Sequence, residues 1–266
     1  MGNRIQFIKA TWGMDGLPLS EAFARIAQAG YTGVESGLPE KAQESEFKEL
    51  LAKHNLDFVA MVFTNGDHIA SFEEQVSRAV EFKPLLINAH SSKDSAPYAE
   101  QIAFYEQAVK LEQQVGITVG HETHRGRAMF TPWATAQLLR DVPGLSLTAD
   151  FSHWVCVCES LLHDQAEALE LAISRTVHIH SRVGYAEGPQ VPHPAAPEYQ
   201  AELAAHEGWW KRIVEARSAQ GLKTTITPEF GPPGYMHTLP FSNVPVADLW
   251  DVCLWMKKNL EEKLNA

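Results

Sequence analysis

Ionisable side chains stand at the carboxyl ends of most of the β-rich segments in this 266-residue chain. The last four such segments supply, in order, Glu122, Asp150, His180 and Glu229. Three carboxylates brought together without a counter-charge would repel one another, and their pKa values would rise. A divalent cation removes that repulsion. We therefore predict one metal ion held by these four side chains.

The chemical types of the predicted ligands favour some metal ions over others. Three carboxylates and one imidazole favour Mn²⁺, with Mg²⁺ and Co²⁺ as alternatives, over structural Zn²⁺, which prefers cysteine and histidine. A non-structural Zn²⁺ stays open. His178 precedes His180 by two residues and so faces the same side of its strand, where it packs or supports a ligand. Cys156 and Cys158 form C-x-C, which is not zinc-knuckle spacing.

Strand-like and helical segments alternate along the whole chain, which predicts a (β/α)8 TIM barrel. The candidate strands span residues 4–10, 33–36, 56–64, 85–90, 117–122, 145–150, 176–181 and 223–230. A doubly wound open sheet is the alternative, but no glycine-rich phosphate turn follows the first strand. With no linker and no change in composition, residues 1–266 are expected to form a single domain. Barrel enzymes place their sites at the carboxyl ends of the strands.

Composition excludes several classes of function. The net charge is −11, which repels nucleic-acid phosphates. Three cysteines cannot all pair, and this indicates a reduced, cytoplasmic protein. The N-terminus lacks the apolar region of a signal peptide, and no apolar run reaches about 18 residues, so neither secretion nor membrane insertion is expected. The expected partner is a small carbohydrate, and a homo-oligomer stays open.

The order of the short motifs resembles the xylose isomerase-like (AP endonuclease family 2) TIM barrels, and within them the ketose 3-epimerases. The matching motifs are "GVE" at Gly33–Glu35, "HETH" with Glu122, "ADFSH" with Asp150 and His153, "HIH" with His180 and "TPEFG" with Glu229. The resemblance covers essentially the whole chain. It implies a metal on the four predicted ligands.

The resemblance also implies roles around that metal. Glu122 and Glu229 would form an acid–base pair, and His153 would touch the substrate. Arg182 is a further candidate contact, although ketose epimerases carry their arginine six residues after the metal histidine, where this chain has Ala186. A second glutamate of those enzymes is replaced by Ala128.

Other candidate substrate contacts follow from position. Glu35 ends the second strand and His90 the fourth. Near strand ends stand Trp12, Phe63, Trp154 and Tyr235, whose rings either stack on sugar C–H faces or serve as packing residues. His124, Arg125 and Arg127 follow the fifth strand. These basic groups either receive a substrate anion or pair with acidic loops, and we favour a neutral substrate because the acidic chain slows an anion's approach.

The predicted reaction is proton abstraction next to a carbonyl of a sugar or sugar derivative, through an enediolate, as in an isomerase or epimerase. A lyase or dehydratase acting on a keto-sugar, keto-glycoside or inosose with the same metal site is the main alternative. An endonuclease IV-like metallonuclease is disfavoured by the net charge, and because the loop after strand seven offers His193 without the D-x-H motif. An amidohydrolase would carry H-x-H on its first strand, and a non-catalytic sugar binder would be expected to lack one of the two glutamates.

Overall fold

The computed structural model describes residues 5–264, and in this range eight parallel strands close into one barrel in chain order. The strands are β1 (Ile5–Ala10), β2 (Gly33–Gly37), β3 (Asp57–Phe63), β4 (Leu86–His90), β5 (Val119–Glu122), β6 (Leu147–Ala149), β7 (Thr176–His180) and β8 (Thr224–Thr227). Each pairs only with its chain neighbours, and β8 pairs with β1. The expected (β/α)8 barrel is confirmed, and the open sheet is wrong.

Helices surround this barrel. They are α1 (Leu19–Gln28), α2 (Glu44–His54), α3 (His68–Val80), α4 (Tyr98–Val115), α5 (Pro132–Asp141), α6 (Ser152–Val157), α7 (Ala166–Arg175), α8 (Gln200–Ala219) and α9 (Leu249–Leu264). The short helix α6, directly after β6, was not expected from the sequence. None of the helices in residues 5–264 has the length and apolar character needed to cross a membrane.

Two apolar regions hold the barrel together. Ile8, Val59 and Leu86 form a small cluster inside it, and a much larger cluster fills the space between strands and helices. Side chains alternate across each strand, so every second residue points inward. Asn88 and His90 share the inward face of β4 with Leu86. The interior is thus apolar toward the amino ends of the strands and polar toward their carboxyl ends.

Candidate active site

The four predicted metal ligands meet at the carboxyl ends of β5 to β8. Glu122, Asp150, His180 and Glu229 each offer one ligand atom, and these atoms all lie within 4.8 Å of one another. Nδ1 of His180 is 3.1 Å from Oε2 of Glu229 and 3.6 Å from Oε2 of Glu122. All four residues are buried. The barrel geometry therefore assembles the set that the sequence predicts.

Buried polar atoms without hydrogen bonds indicate whether these four side chains suit a cation. Oε1 of Glu122, Oδ2 of Asp150 and Nδ1 of His180 are buried and make no hydrogen bond of normal geometry, although the last two lie within ion-pair distance of a neighbouring charged side chain. Buried polar atoms normally have a partner, because leaving one unpaired costs about 1–3 kcal/mol. Two carboxylate oxygens and one imidazole nitrogen that converge without hydrogen bonds fit a divalent metal ion.

Burial and the neighbouring charges shift the pKa values of the candidate ligands. Burial raises the pKa of the Asp150 carboxyl to about 6, with Arg182 opposing that shift and Glu122 adding to it. Burial by itself would lower the pKa of His180, but Glu229, Glu35 and Glu122 raise it well above its usual value. A metal ion would therefore displace a proton from His180, and below about pH 6 also one from Asp150.

Glu35 lies behind His180. Its Oε1 is 2.9 Å from Nε2 of His180, and its Oε2 is 3.3 Å from Nε2 of His178. Thr227 also donates a hydrogen bond to Glu35. Burial would raise the pKa of Glu35, but His180 and His178 hold it well below its usual range. Although Glu35 lines the central cavity, its contacts are those of a residue that orients His180.

Asn88, on β4, joins two of these carboxylates. Its side-chain amide donates to Oε2 of Glu122 at 2.8 Å and to Oε1 of Glu35 at 3.2 Å. The same Oε2 lies 2.7 Å from Nε2 of His90. Burial would raise the pKa of Glu122, but His90 and His180 lower it far below its usual value. With Oε2 held in this way, Oε1 of Glu122 is left for a metal or a proton.

Arg182 follows β7 and is buried against the cluster. Its guanidinium donates to Oε2 of Glu229, and Nε donates to the Glu229 carbonyl at 2.6 Å. Nη1 lies 3.2 Å from Oδ2 of Asp150. Burial opposes the charge of Arg182, but Asp150 and Glu229 raise its pKa above the usual value. Arg182 thus supplies the fixed positive charge next to two candidate ligands.

Two histidines stack beside Arg182. The rings of His124 and His153 have centres 3.9 Å apart, and Nη1 of Arg182 is 3.1 Å from Nε2 of His153. Burial lowers the pKa of His124 to about 4 and that of His153 well below its usual value. His124 lines the cavity, whereas His153 is fully buried and is not part of its lining.

A cavity of about 460 Å³ opens above the cluster. Trp12, Phe63 and Tyr235 line it, and the rings of Trp12 and Tyr235 meet edge to face at 5.0 Å. Trp154 does not line it and is a packing residue, the second of the two alternatives. Its indole is fully buried, stacks on Phe151 at 4.8 Å and donates to the Met129 carbonyl at 3.0 Å. α6 turns Trp154 away from the cavity and into the core.

The two arginines after β5 occupy different places. Arg127 lines the cavity, and its Nη1 donates to the Thr64 carbonyl at 2.9 Å and the Ser92 carbonyl at 3.3 Å. Arg125 lies over Tyr235, 5.1 Å from the ring centre, and lines a separate surface depression. Among residues 5–264, neither has a carboxylate oxygen within the 4.0 Å limit of an ion pair. Pairing with acidic loops is therefore not found.

The family model described as "Xylose isomerase-like TIM barrel" matches residues 23–185 of the chain. The protein belongs to this xylose isomerase-like family. The matched range includes Glu122, Asp150 and His180, whereas Glu229 lies beyond it. A comparison with curated protein sequences finds no match.

Several solved structures are similar to this protein over nearly the whole length of its chain. A D-allulose 3-epimerase from Methylomonas sp. is 18% identical, with a TM-score of 0.64 over 98% of both chains. The probable 3-DHS dehydratase AsbF from Bacillus anthracis is 14% identical, with a TM-score of 0.63 over 96% of this chain and 98% of its own. A xylose isomerase-like TIM barrel protein from Mycobacterium smegmatis, in complex with magnesium, is 11% identical, with a TM-score of 0.65 over 98% and 96%. At these identities the likeness establishes the fold.

Two residues that the sequence analysis missed shape the site of this xylose isomerase-like protein. Asn88 bridges Glu35 and Glu122, and Thr227 binds Glu35. Asn88 precedes His90 by two positions on β4, and Thr227, the last residue of β8, precedes Glu229 by two positions. Since residues two apart share a face of a strand, that spacing was the signal that could have found them.

Proposed function

We propose that the protein is a divalent-metal-dependent isomerase or epimerase of a sugar or sugar derivative. The observation that carries this proposal is the placement of Glu122 and Glu229 on the floor of one aromatic-lined cavity, on either side of His180. Two carboxylates from different strands provide the base and the acid that epimerisation next to a carbonyl requires. The metal would be held by Glu122, Asp150, His180 and Glu229, with Mn²⁺ as our preferred ion.

The chain's own contacts suggest how the two carboxylates work. Oε2 of Glu122 is held by Asn88 and His90, which keeps Oε1 oriented for proton transfer. Arg182 fixes one oxygen of Glu229 from the opposite side. A bound divalent cation would stabilise the negative charge that develops on the substrate oxygens. Trp12, Phe63 and Tyr235 would hold the sugar through its C–H faces and shield it from water.

Isotope exchange is the direct test. The metal-loaded protein is incubated in D₂O with a panel of ketoses, keto-sugars and inososes, and the products are analysed by NMR and mass spectrometry. The proposal expects deuterium at the carbon next to the carbonyl. It also expects an epimer or positional isomer that differs from the substrate in composition only by this deuterium. A panel that shows neither exchange nor isomer in the presence of Mn²⁺, Mg²⁺ or Co²⁺ would contradict it.

A lyase or dehydratase acting on a keto-sugar, keto-glycoside or inosose is the second candidate, and His124 favours it. His124 lines the same cavity as Glu122. Burial lowers the pKa of its imidazole to about 4, so that the ring is neutral at neutral pH. A neutral imidazole is a third group that can accept or relay a proton, which elimination of a β-hydroxyl requires. In the same assay, a product lighter by one water would favour the dehydratase. His124→Gln would then abolish elimination.

A further inference from the structure

A second cavity, of about 230 Å³, lies outside the barrel between β1, the loop that follows it, and α9. Its charged lining is Lys9 and Arg25, and no carboxylate among residues 5–264 lines it. The rings of Trp12 and Trp250 and the side chain of Leu249 provide apolar walls. A purely cationic lining is notable in a chain with a net charge of −11.

Lys9 is the buried cation of this cavity. The preceding residue, Ile8, packs inside the barrel, so Lys9 points outward, toward the helices. Its side chain belongs to a residue only 2% exposed, and Nζ donates one hydrogen bond, to the Ala10 carbonyl at 2.6 Å. Within residues 5–264 no carboxylate lies within ion-pair distance of it.

Lys257 is the other buried lysine of the described range, and it has the carboxylate partner that Lys9 lacks. Nζ of Lys257 is paired with Oε1 of Glu261 at 2.7 Å. Buried lysines are rare unless they are paired, because removing a charge from water without a partner is costly. Lys9 has two donor hydrogens that no side chain of the described residues accepts. An anion from outside the chain would supply that partner.

Arg25 faces the same place from α1. Its Cζ lies 4.0 Å from the centre of the Trp250 ring, and Nζ of Lys9 lies 6.0 Å from the same centre. Two like charges next to one indole repel each other. A negatively charged group between them would convert this repulsion into two charge-assisted contacts.

We propose that this cavity binds a small organic anion, a phosphate monoester or a carboxylate on a short carbon skeleton, with its charged group between Lys9 and Arg25. The volume is below the roughly 300–1,000 Å³ of ordinary ligand pockets, which excludes nucleotides. The indole and leucine walls favour a ligand with a carbon body over a bare inorganic ion. Trp12 lines both this cavity and the central one, so the ligand contacts the wall of the active site from outside.

Calorimetry on metal-free protein tests the site independently of the proposed function. The probes are glycerol 3-phosphate, propionate, inorganic phosphate and neutral glycerol. We expect at least one of the two organic anions to bind and glycerol not to bind. Which of them binds more tightly distinguishes a phosphate from a carboxylate ligand. Binding with unchanged affinity in Arg127→Met, which removes a cation of the central cavity, places the ligand outside that cavity.

Matched variants connect the binding to the two cations. Lys9→Met keeps most of the length of the side chain and removes its charge, and Arg25→Gln does the same at an exposed position of α1. Each substitution removes one charge-assisted contact, so each should lower the affinity for the organic anion about tenfold or more. Lys53→Met, at an exposed position of α2, removes the same charge and should have no effect. The proposal is overturned if both site variants bind like wild type, or if wild type binds neither organic anion at millimolar concentration.

Discussion

Glu35 fixes which nitrogen of His180 faces the candidate metal site. Oε1 of Glu35 is 2.9 Å from Nε2 of His180, which leaves Nδ1 directed toward Glu122 and Glu229. A carboxylate on the far nitrogen of a ligating histidine sets the ring orientation and raises its basicity as a ligand. Glu35 on β2 would therefore act on a bound metal ion through His180 on β7.

Glu35→Gln should weaken metal binding about 10- to 100-fold, the range found for partners of metal-binding histidines. The variant keeps the shape of the side chain but loses the charge that orients His180. Titration with Mn²⁺, followed by calorimetry, measures the change.

Glu112→Gln is the matched control. Oε1 of Glu112 lies 2.8 Å from Nε2 of His121, whose ring packs among Phe72, Phe104 and Tyr105 and not at the metal cluster. This variant should bind Mn²⁺ as wild type does. Equal losses in both variants would mean that Glu35 acts only through general stability.

Metal affinity should rise with pH. A metal must displace the proton of Asp150, whose pKa burial raises to about 6, and that of His180, whose pKa lies well above its usual value. Because binding releases these protons, affinity increases by about tenfold per pH unit for each proton released until the group has titrated. Mn²⁺ titrations between acidic and neutral pH, in buffers of different ionisation enthalpy, measure both the slope and the proton count. An affinity independent of pH over this range would contradict the ligand assignment.

Glu122→Gln and Glu229→Gln should each abolish turnover. Each substitution removes a ligand charge together with a proton-transfer group, and general acid–base groups contribute about 10²–10⁴-fold. Steady-state rates at saturating Mn²⁺ measure the loss. Glu187→Gln, at an exposed position on the loop after β7, is the control and should leave the rate unchanged. More than about a tenth of the wild-type rate in either site variant would contradict the two-carboxylate mechanism.

The barrel and the cluster of candidate metal ligands were predictable because both depend on simple periodic patterns. Strands alternating with helices close into a barrel, and the carboxyl ends of parallel strands meet at one mouth. Glu122, Asp150, His180 and Glu229 therefore had to come together once the strands were correctly located. No detail of loop conformation was needed for that result.

Side chains on loops and unexpected helices were not predictable in the same way. Trp154 follows Asp150 closely in sequence, but α6 rotates successive residues around an axis and turns this indole into the core. Arg125 and Arg127 differ by two positions, yet only Arg127 lines the central cavity. Asn88 carries no charge, so it gave no electrostatic signal, although it holds two carboxylates.

The last prediction concerns the charge of the substrate. Arg127 and Arg182 are the cations lining the central cavity, and Arg182 is already paired with Asp150 and Glu229. Arg127 has only carbonyl partners among the described residues, so its guanidinium can receive a substrate carboxylate or phosphate. Arg127→Met should raise KM for an anionic sugar about 10- to 100-fold, the equivalent of a charge-assisted contact worth about 1.5–3 kcal/mol.

Arg125→Met separates this effect from a general loss of positive charge. Arg125 lies over Tyr235 outside the cavity, so its removal should change KM for the anionic sugar much less than removal of Arg127. KM for a neutral sugar should change little in either variant, and added salt should raise KM for the anionic sugar in the wild type because part of the contact is exposed to solvent. If Arg127→Met changes KM equally for neutral and anionic sugars, Arg127 only connects two loops through its hydrogen bonds to the Thr64 and Ser92 carbonyls. The substrate is then neutral and is held by the aromatic wall of the cavity, as the acidity of the chain had favoured.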